Sequence, residues 1–487
     1  MTQDKAYAQA LANKTTDFAG WYNDVVMRAE LAEEAPVRGC MVVRPYGWTL
    51  WENAQSILDR KFKETDVVNA AFPLLIPRSF LVKESDHVEG FVPEVAWVTQ
   101  VGSGQEELAE PLAVRPTSEA IIGPIYAKWV QSYRDLPLLI NQWCSVVRWE
   151  KRPRLFLRTS EFWWQEGHTA HASQEEAEER TRMMLEVYRS FLEEDMAIPV
   201  IPGLKSEAQK FPGALRTYTV EAMMGDGRAL QAGTSHNLGD HFARAYDIQF
   251  LDESNERRYA WTTSWGMSTR IIGAMVMVHG DQQGLVLPPR VAPYQAVIIP
   301  IWRADEQKAA VLEAVDRIAK TLKAAGIRIK VDASEGKSAG WKFNEWELKG
   351  VPVRIEVGPR DVENNSVVLA RRDRPGKEGK EFVSQDGLSG HLAALLEDIQ
   401  SALYSKAAAF REANTVDVKL EQELAEVVGA RKFARAYWGG DPEGEERIKQ
   451  ATGATTRCIP LEQSGVEGKS ITTGKPTSQQ AIFARAY

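Results

Sequence analysis

The chain has 487 residues, 44% hydrophobic and 26% charged, with a formal net charge of −8. That length implies two to four domains with ample core, and no run of about 18 apolar residues exists to span a membrane. The negative balance argues against indiscriminate nucleic-acid binding but leaves room for a local basic surface, since phosphates are met patch by patch. Residues 1–18 carry no apolar export signal, and Cys40, Cys144 and Cys458 are scattered without a pairing pattern, which fits free thiols in the cytosol.

Trp51, Ala54, Ile57, Leu58 and Phe62 recur at helical spacing, which predicts a helix over residues 48–62. Residues 69–77 (NAAFPLLIP) read as a short buried edge strand, because Pro73 cannot donate to a ladder. Helix and strand together suit a dimer seam as well as they suit ordinary surface. In AVRPTSE (113–119), Arg115 precedes a proline and is extended, and Thr117 or Ser118 can cap the helix that Glu119 opens.

The chain is organised around residues 143–171, WCSVVRWEKRPRLFLRTSEFWWQEGHTAH. Two apolar-rich segments flank a loop loaded with Lys151, Arg152, Pro153 and Arg154, and Leu155, Phe156 and Leu157 restart the apolar pattern. This predicts two antiparallel strands with Pro153 in the connection. Arg148, Glu150, Arg158, Glu161, Glu166 and His168 are too many ionisable groups for a hairpin that only packs. Buried charge is tolerated when it is paired or meets a charged ligand, and this mixture suits a triphosphate and a zwitterion.

Ser173 and Glu176 have capping-box spacing before a helix with Met184, Val187, Tyr188, Phe191 and Leu192 on its core face. Residues 216–221 alternate as a strand, and 225–227 turn. ALQAGTSHNLG (229–239) gathers Gln231, Thr234, Ser235, His236 and Asn237 around a glycine, as a strand lining a ligand site would. Residues 261–278 read as a strand entering an apolar helix. Arg270 sits at the junction, where the helix end is already positive, and a phosphate would explain it. Residues 287–293 look like a domain boundary.

Beyond it, strands at 296–301, 327–331 and 353–357 alternate with a helix bearing Val311, Ala314, Val315, Ile318 and Leu322 and stopped by Gly326. This predicts a compact α/β domain over 294–405, with Arg354, Arg360, Arg371, Arg372, Arg374, Lys377 and Lys380 suggesting a basic face. From 406 the chain is helical, then glycine-rich. The pentapeptide FARAY occurs at 433–437 and 483–487, suggesting two strands that pair in a small terminal module; a third copy lies far away at 242–246.

With these pieces in place, the chain resembles the prolyl-tRNA synthetases, which are class II aminoacyl-tRNA synthetases. FPLLIP (72–77) is similar to the dimer-forming motif 1, and RPTSE (115–119) to the proline-binding loop. VVRWE and FLRTSEFWWQEGHTAH resemble motif 2, and ALQAGTSHNLG and TTSWGMSTR (262–270) resemble the ATP strand and motif 3. GWKFNEWELKGVPVRIEVGPRD (340–361) resembles the anticodon-binding domain. The span between Arg148 and Arg270 is too short for the large editing insertion, so the resemblance is to the archaeal/eukaryotic-like type.

The resemblance implies an α+β fold: an antiparallel-sheet catalytic domain at 1–293, the anticodon domain at 294–405 and a terminal module at 406–487. It implies a cytoplasmic homodimer that uses ATP with Mg²⁺ to attach L-proline to tRNA(Pro) through prolyl-adenylate. Thr117, Glu119, Arg148, Glu166, His168, His236 and Ser268 match the proline pocket. Arg148, Glu150, Arg158, Thr159, Gln231, Thr234 and Arg270 match the ATP site, with Arg148 and Arg270 carrying the catalysis. Phe343, Glu347 and Arg354 match the anticodon readers. Many relatives hold zinc in the terminal module through four cysteines. Here Gly439, Gly444, Ser470 and Thr473 stand where those are expected, and Cys458 alone cannot make a tetrahedral site, so no structural zinc is predicted. A threonine or serine enzyme, or an RNA-binding relative that has lost activation, are the rival readings.

Overall fold

The computed structural model describes residues 11–87, 95–103 and 106–487. The first ten residues of the stretch read as lacking an export signal lie outside the described residues. Among the described residues no helix is long and apolar enough to cross a membrane.

After helix α1 (Phe18–Arg28), helix α2 (Pro45–Lys63) buries Trp51, Ala54, Leu58 and Phe62, the expected stripe. The segment expected to be one buried strand is instead two, β1 (Val68–Asn69) and β2 (Leu75–Pro77), with Pro73 in the extended link. Lacking an N–H, Pro73 interrupts pairing, and only Phe72 and Ile76 of this segment are buried. Strands β3 (Trp97–Val101) and β4 (Glu106–Val114) pair beside β2, and helix α3 (Glu119–Trp129) follows.

The expected hairpin is β5 (Leu138–Val147) and β6 (Glu161–His171), antiparallel from Leu138↔Ala170 to Val147↔Glu161. Leu155, Phe156 and Leu157 do not restart the strand. They form a buried turn, with Phe156 at φ +62°, and this turn is the plug that fixes the charged connection. Ser173 accepts from the Glu176 N–H at the start of helix α4 (Gln174–Ser190), on which Met184 and Tyr188 are fully buried.

Strands β7 (Val200–Leu204), β8 (Arg216–Met223) and β9 (Ala229–Gly239) complete the sheet with β10 (Trp261–Ser268). The third FARAY copy lies in a short helix, α5 (His241–Tyr246), and β10 runs into helix α6 (Arg270–His279). Strand alternation sends Trp143, Trp163 and Trp265 to the back of the sheet. There Trp51 of α2 meets Trp143 edge-on at 5.7 Å, and Phe62 lies 4.9 Å from Trp265. These aromatic contacts lock α2 under the opposite, functional face.

The second sheet runs β12–β11–β13–β14–β15, built from β11 (Ala296–Pro300), β12 (Ile329–Val331), β13 (Val353–Val357), β14 (Ser366–Arg371) and β15 (Lys380–Ser384). It is mixed: β11 pairs in parallel with β12 and β13, and the other pairs are antiparallel. Helices α7 (Asp305–Ala324) and α9 (Leu388–Ala413) pack one face around Val353, Ile355 and Leu369. Helix α8 (Ala339–Leu348) covers part of the other with Trp346 against Val297 and Ile299. The expected basic face is narrower than the sequence suggests. Arg372 is buried and paired with Asp281 of the first unit, and Arg371 is held by Asp373 and Asp398.

Helix α9 runs straight through the expected boundary at 405, so a continuous helix, not a linker, leads into the last unit. That unit contributes β16 (Thr415–Asp417), β17 (Phe433–Tyr437), β18 (Thr455–Pro460) and β19 (Gln480–Ala484). The two FARAY segments pair only at their start, Ala434↔Phe483. Ala484 still pairs with Thr455 of the module, and residues 485–487 then leave it and pair with Ala229 of the catalytic half. Because β18 also pairs with β7, one eleven-stranded sheet, β16–β17–β19–β18–β7–β8–β9–β10–β6–β5–β1, runs through both units.

Candidate active site

Cross-strand register builds the site. One row across the sheet reads Ile140, His168, Ser264, His236, Thr217, and the next reads Gln142, Glu166, Gly266, Thr234, Thr219. A bulge after Val220 shifts the pairing so that Gln231 faces Glu221. These rows floor a pocket of about 270 Å³ that also takes Thr117 and Glu119 from the start of α3 and Arg148 from the end of β5.

Thr117 and Ser118 do not cap α3 as expected. Thr117 donates to the Glu119 carboxylate, and Ser118 donates to Glu166. The buried carboxylates outcompete the helix end for the hydroxyls, because a charge-assisted bond is the stronger. Glu166 also accepts from Gln142 at 2.8 Å and pairs with His168 Nε2 at 2.9 Å. Burial alone would raise the Glu166 pKa; His168, Ser118 and Gln142 reverse this and bring it down to about 2. Burial likewise disfavours charge on His168, but the Glu166 carboxylate raises its pKa above the usual value. His236, buried and facing the charges of His168 and Arg148, drops to about 3 and is neutral; its Nδ1 lies 2.9 Å from Thr217 Oγ1.

The walls are aromatic. The Arg148 guanidinium lies 5.1 Å from the Trp164 ring centre while its Nε donates to the Pro116 carbonyl at 2.8 Å. Phe211 stacks on His236 at 4.7 Å. Gly167 is required here, since a Cβ would come within 2.1 Å of the Trp265 ring beneath. The pocket therefore brings together two carboxylates, Glu119 and Glu166, two cations, Arg148 and Lys210, and the rings of Trp164 and Phe211, which fits a small zwitterion with an apolar body.

Glu150, Arg158, Thr159, Ser268 and Arg270 lie off this pocket, on the adjoining connection and helix start. Glu150 pairs with Arg158 at 3.1 Å, and the Thr159 hydroxyl donates to the Glu161 carbonyl. Ser268 Oγ accepts from the Arg270 N–H at 3.3 Å, so it supports the helix start and does not line the pocket. Arg270 Nε donates to the Leu157 carbonyl at 3.0 Å, which is what the buried turn is for. Among the described residues no carboxylate lies within ion-pair reach of Arg270. Burial, with Arg148 and Arg158 nearby, pushes its pKa down to about 10. Arg158 is matched by Glu150 and Arg148 faces Glu119 and Glu166, so Arg270, at a helix N-terminus, is the arginine left without a close carboxylate among the described residues.

The chain resembles solved and curated proteins along its whole length. A crystal structure of prolyl-tRNA synthetase from Cryptosporidium parvum, complexed with halofuginone and AMPPNP, superposes with a TM-score of 0.93 at 41% identity, covering 100% of this chain and 99% of that one. The proline–tRNA ligase of Roseiflexus castenholzii is 59% identical over 98% of this chain and 99% of its own length. The chain belongs to the prolyl-tRNA synthetase family. The chloroplastic/mitochondrial proline–tRNA ligase of Arabidopsis thaliana is 52% identical, over 98% of this chain and 88% of that protein. Residues 98–279 match the tRNA synthetase class II core domain (G, H, P, S and T), 295–386 the anticodon binding domain, and 421–487 the C-terminal domain of prolyl-tRNA synthetase. The family's reaction is the ATP-dependent attachment of proline to tRNA, first as prolyl-adenylate and then by transfer to the tRNA.

Prolyl-tRNA synthetase motifs led to eight of the pocket's residues but missed nine, among them Trp164, Lys210, Phe211, Thr217 and Ser264. Ser264 was findable, lying two residues from Gly266 on an alternating strand, and its buried hydroxyl has no partner among the described residues. Phe211 reaches the site from a loop that leaves no sequence signal. In the anticodon-binding domain, Phe343, Glu347 and Arg354 line a second pocket of about 210 Å³ together with Asn344 and Lys380. Arg354 stacks on Phe343 at 4.0 Å and bonds Glu356 at 2.9 Å.

In the terminal module, the residues at the positions of the family's zinc cysteines do not fit a metal. Ser470 Oγ accepts from the Gly439 N–H at 3.4 Å and lies 3.2 Å from Thr472 Oγ1. Asp441 caps the following helix at Gly444, where a Cβ would strike Thr472. Cys458 is elsewhere, in an apolar cluster with Met223, Phe433 and Ile482, and burial pushes its thiol up to about 12. Hydroxyls, backbone groups and the Asp441 carboxylate, already committed as a helix cap, fill the cluster.

Proposed function

We propose that the pocket holds proline and that the neighbouring arginine cluster holds ATP, taken as its Mg²⁺ complex. The observation that carries this reading is the pocket's lining, which joins Glu119, Glu166 and Arg148 to the rings of Trp164 and Phe211. Proline's ammonium meets Glu119, Glu166 and Thr117, its carboxylate meets Arg148, and its ring lies between the aromatic walls. Ionised Glu166 and neutral His236 keep the floor suited to one positive group. Arg148 then spans the carboxylate and the α-phosphate, Gln231 and Thr234 flank the nucleotide, and Arg270 takes the terminal phosphates. Glu150, Arg158 and Thr159 hold the adenine side. In-line attack by the proline carboxylate needs positioning and charge stabilisation more than acid–base groups.

Phe343, Glu347 and Arg354 read the anticodon in the second pocket. The edge strand β1 and the adjoining arm leave Val68, Leu74, Trp97 and Trp129 between 43% and 60% exposed, which supports a homodimer across this face. Three free thiols, Cys40, Cys144 and Cys458, suit a cytosolic enzyme without structural zinc.

Amino-acid-dependent ATP–pyrophosphate exchange tests the reading. Exchange with proline, with only traces for alanine or cysteine, lost at least a hundredfold in Arg270→Ala, is expected. Wild-type exchange in Arg270→Ala would remove it from the ATP site. Exchange with threonine in place of proline would overturn the pocket.

A further inference from the structure

Phe382 is 78% exposed, the most exposed large apolar side chain among the described residues. A single exposed apolar residue is ordinary, so its surroundings decide its meaning. It stands on β15, the edge strand of the second sheet. Alternation puts it on the same face as Lys380, two residues and about 6.6 Å along the strand. Cross-strand pairs extend that face inward: Lys380 opposite Ala370 opposite Arg354, and Phe382 opposite Val368 opposite Glu356. This is the face that carries the second pocket. Helix α8 covers it only over β11 and β13, and the outer strip at β15 is bare.

Val368 and Ala370 beneath are each only 8% exposed, so the strip offers one ring and not a broad apolar patch. A protein partner would need a larger surface than one ring. The rim is cationic: Lys380 bonds Glu356 at 2.8 Å with its ammonium at the surface, and Arg374 and Lys377 are exposed on the preceding turn. An exposed ring beside cations matches an unpaired nucleotide, whose base stacks while its phosphate meets the positive charge.

We propose that Phe382 is a base-stacking residue for the anticodon loop of tRNA, taking an unpaired nucleotide that flanks those met by Phe343, Glu347 and Arg354. The inference rests on reading the second pocket as the anticodon site. Val368, directly across from Phe382, offers no side-chain hydrogen bond, and Lys380, Glu356 and Arg354 on the same face are bonded to one another, so the contact discriminates by stacking strength and favours a purine without fixing its identity.

The test uses the full chain carrying Phe382→Ala, Phe382→Leu or Phe382→Trp, assayed by aminoacylation of a tRNA(Pro) transcript. The KM for tRNA is expected to rise about tenfold in the alanine and leucine variants and to return in the tryptophan variant. The kcat at saturating tRNA holds, and ATP–pyrophosphate exchange checks that each variant is folded. Abasic sites scanned through the anticodon loop should cost the wild type the same factor at one position and cost Phe382→Ala nothing more there. A KM within twofold of wild type in Phe382→Ala overturns the proposal, as does full rescue by leucine. A changed elution volume with unchanged KM would make the ring a protein contact and also overturn it. Arg354→Ala is assayed alongside. If it raises KM while Phe382→Ala does not, stacking alone fails; if both are neutral, the anticodon pocket fails with it.

Discussion

Replacing Glu221 by glutamine tests the join between the terminal module and the catalytic sheet. Glu221 on β8 is fully buried and bonds Lys205 at 2.7 Å and Arg457 of β18 at 2.9 Å, with Thr219 donating at 3.0 Å. The Lys205 and Arg457 side chains are themselves 2% and 8% exposed. Burial alone would raise the Glu221 pKa, but the two cations hold it below the ordinary value. The stabilisation is therefore complete above the unfolded pKa of about 4.3 and disappears as pH falls through the lower folded one. Glutamine keeps the shape and leaves two buried cations facing a neutral amide, which costs about 3–5 kcal/mol. Guanidinium unfolding of the full chain at pH 7, followed by tryptophan fluorescence, should report that loss, and the difference from wild type should shrink below pH 4. Replacing Lys205, Glu221 and Arg457 together by methionine or leucine should recover most of it, since no charge is left unpaired. A loss under about 1 kcal/mol in Glu221→Gln, or a triple variant as unstable as the single one, would refute the reasoning.

Gly167→Ala should cut proline-dependent exchange more than tenfold while leaving the KM for ATP nearly unchanged, because the added methyl displaces Trp265 under the proline end of the site. His168 contributes stability below pH 6.5 that fades as pH rises through its elevated folded pKa. Melting temperatures measured from pH 6 to 9 should therefore fall more steeply in the wild type than in His168→Asn, and parallel curves would argue against the Glu166–His168 pair. Metal analysis of the purified chain should find far less than one zinc per chain, and EDTA should leave the melting temperature unchanged; a stoichiometric zinc lost with unfolding would contradict the hydroxyl-filled terminal cluster.

Elements with strong periodicity were readable: α2, the β5–β6 hairpin, α4 and the β11–α7 unit follow their apolar patterns. What escaped was decided by long-range contacts. Leu155, Phe156 and Leu157 look like strand residues, yet Tyr22 and Arg270 bind the carbonyls of Leu155 and Leu157 and hold them as a turn. FARAY is a strand at 433–437 and a helix at 242–246, so five residues carry no fixed preference and the surrounding sheet or helix decides. Capping hydroxyls were diverted because Glu166, distant in sequence, lies beside them. Most of the pocket's charged residues came from motifs, whereas Lys210, Phe211 and Thr217 enter from segments that no motif marks.

The continuous sheet bears on how the enzyme is made. Strand β7 supplies an edge that stays open until residues 455–460 have been synthesised, so the active-site scaffold emerging from the ribosome is unfinished until nearly the last strand. An open edge of this kind invites pairing with other chains. The Lys205–Glu221 pair waits with it for Arg457. A chain stopped after the anticodon domain would therefore keep the catalytic core but leave the β7 edge unpaired, and is expected to aggregate where the full chain does not.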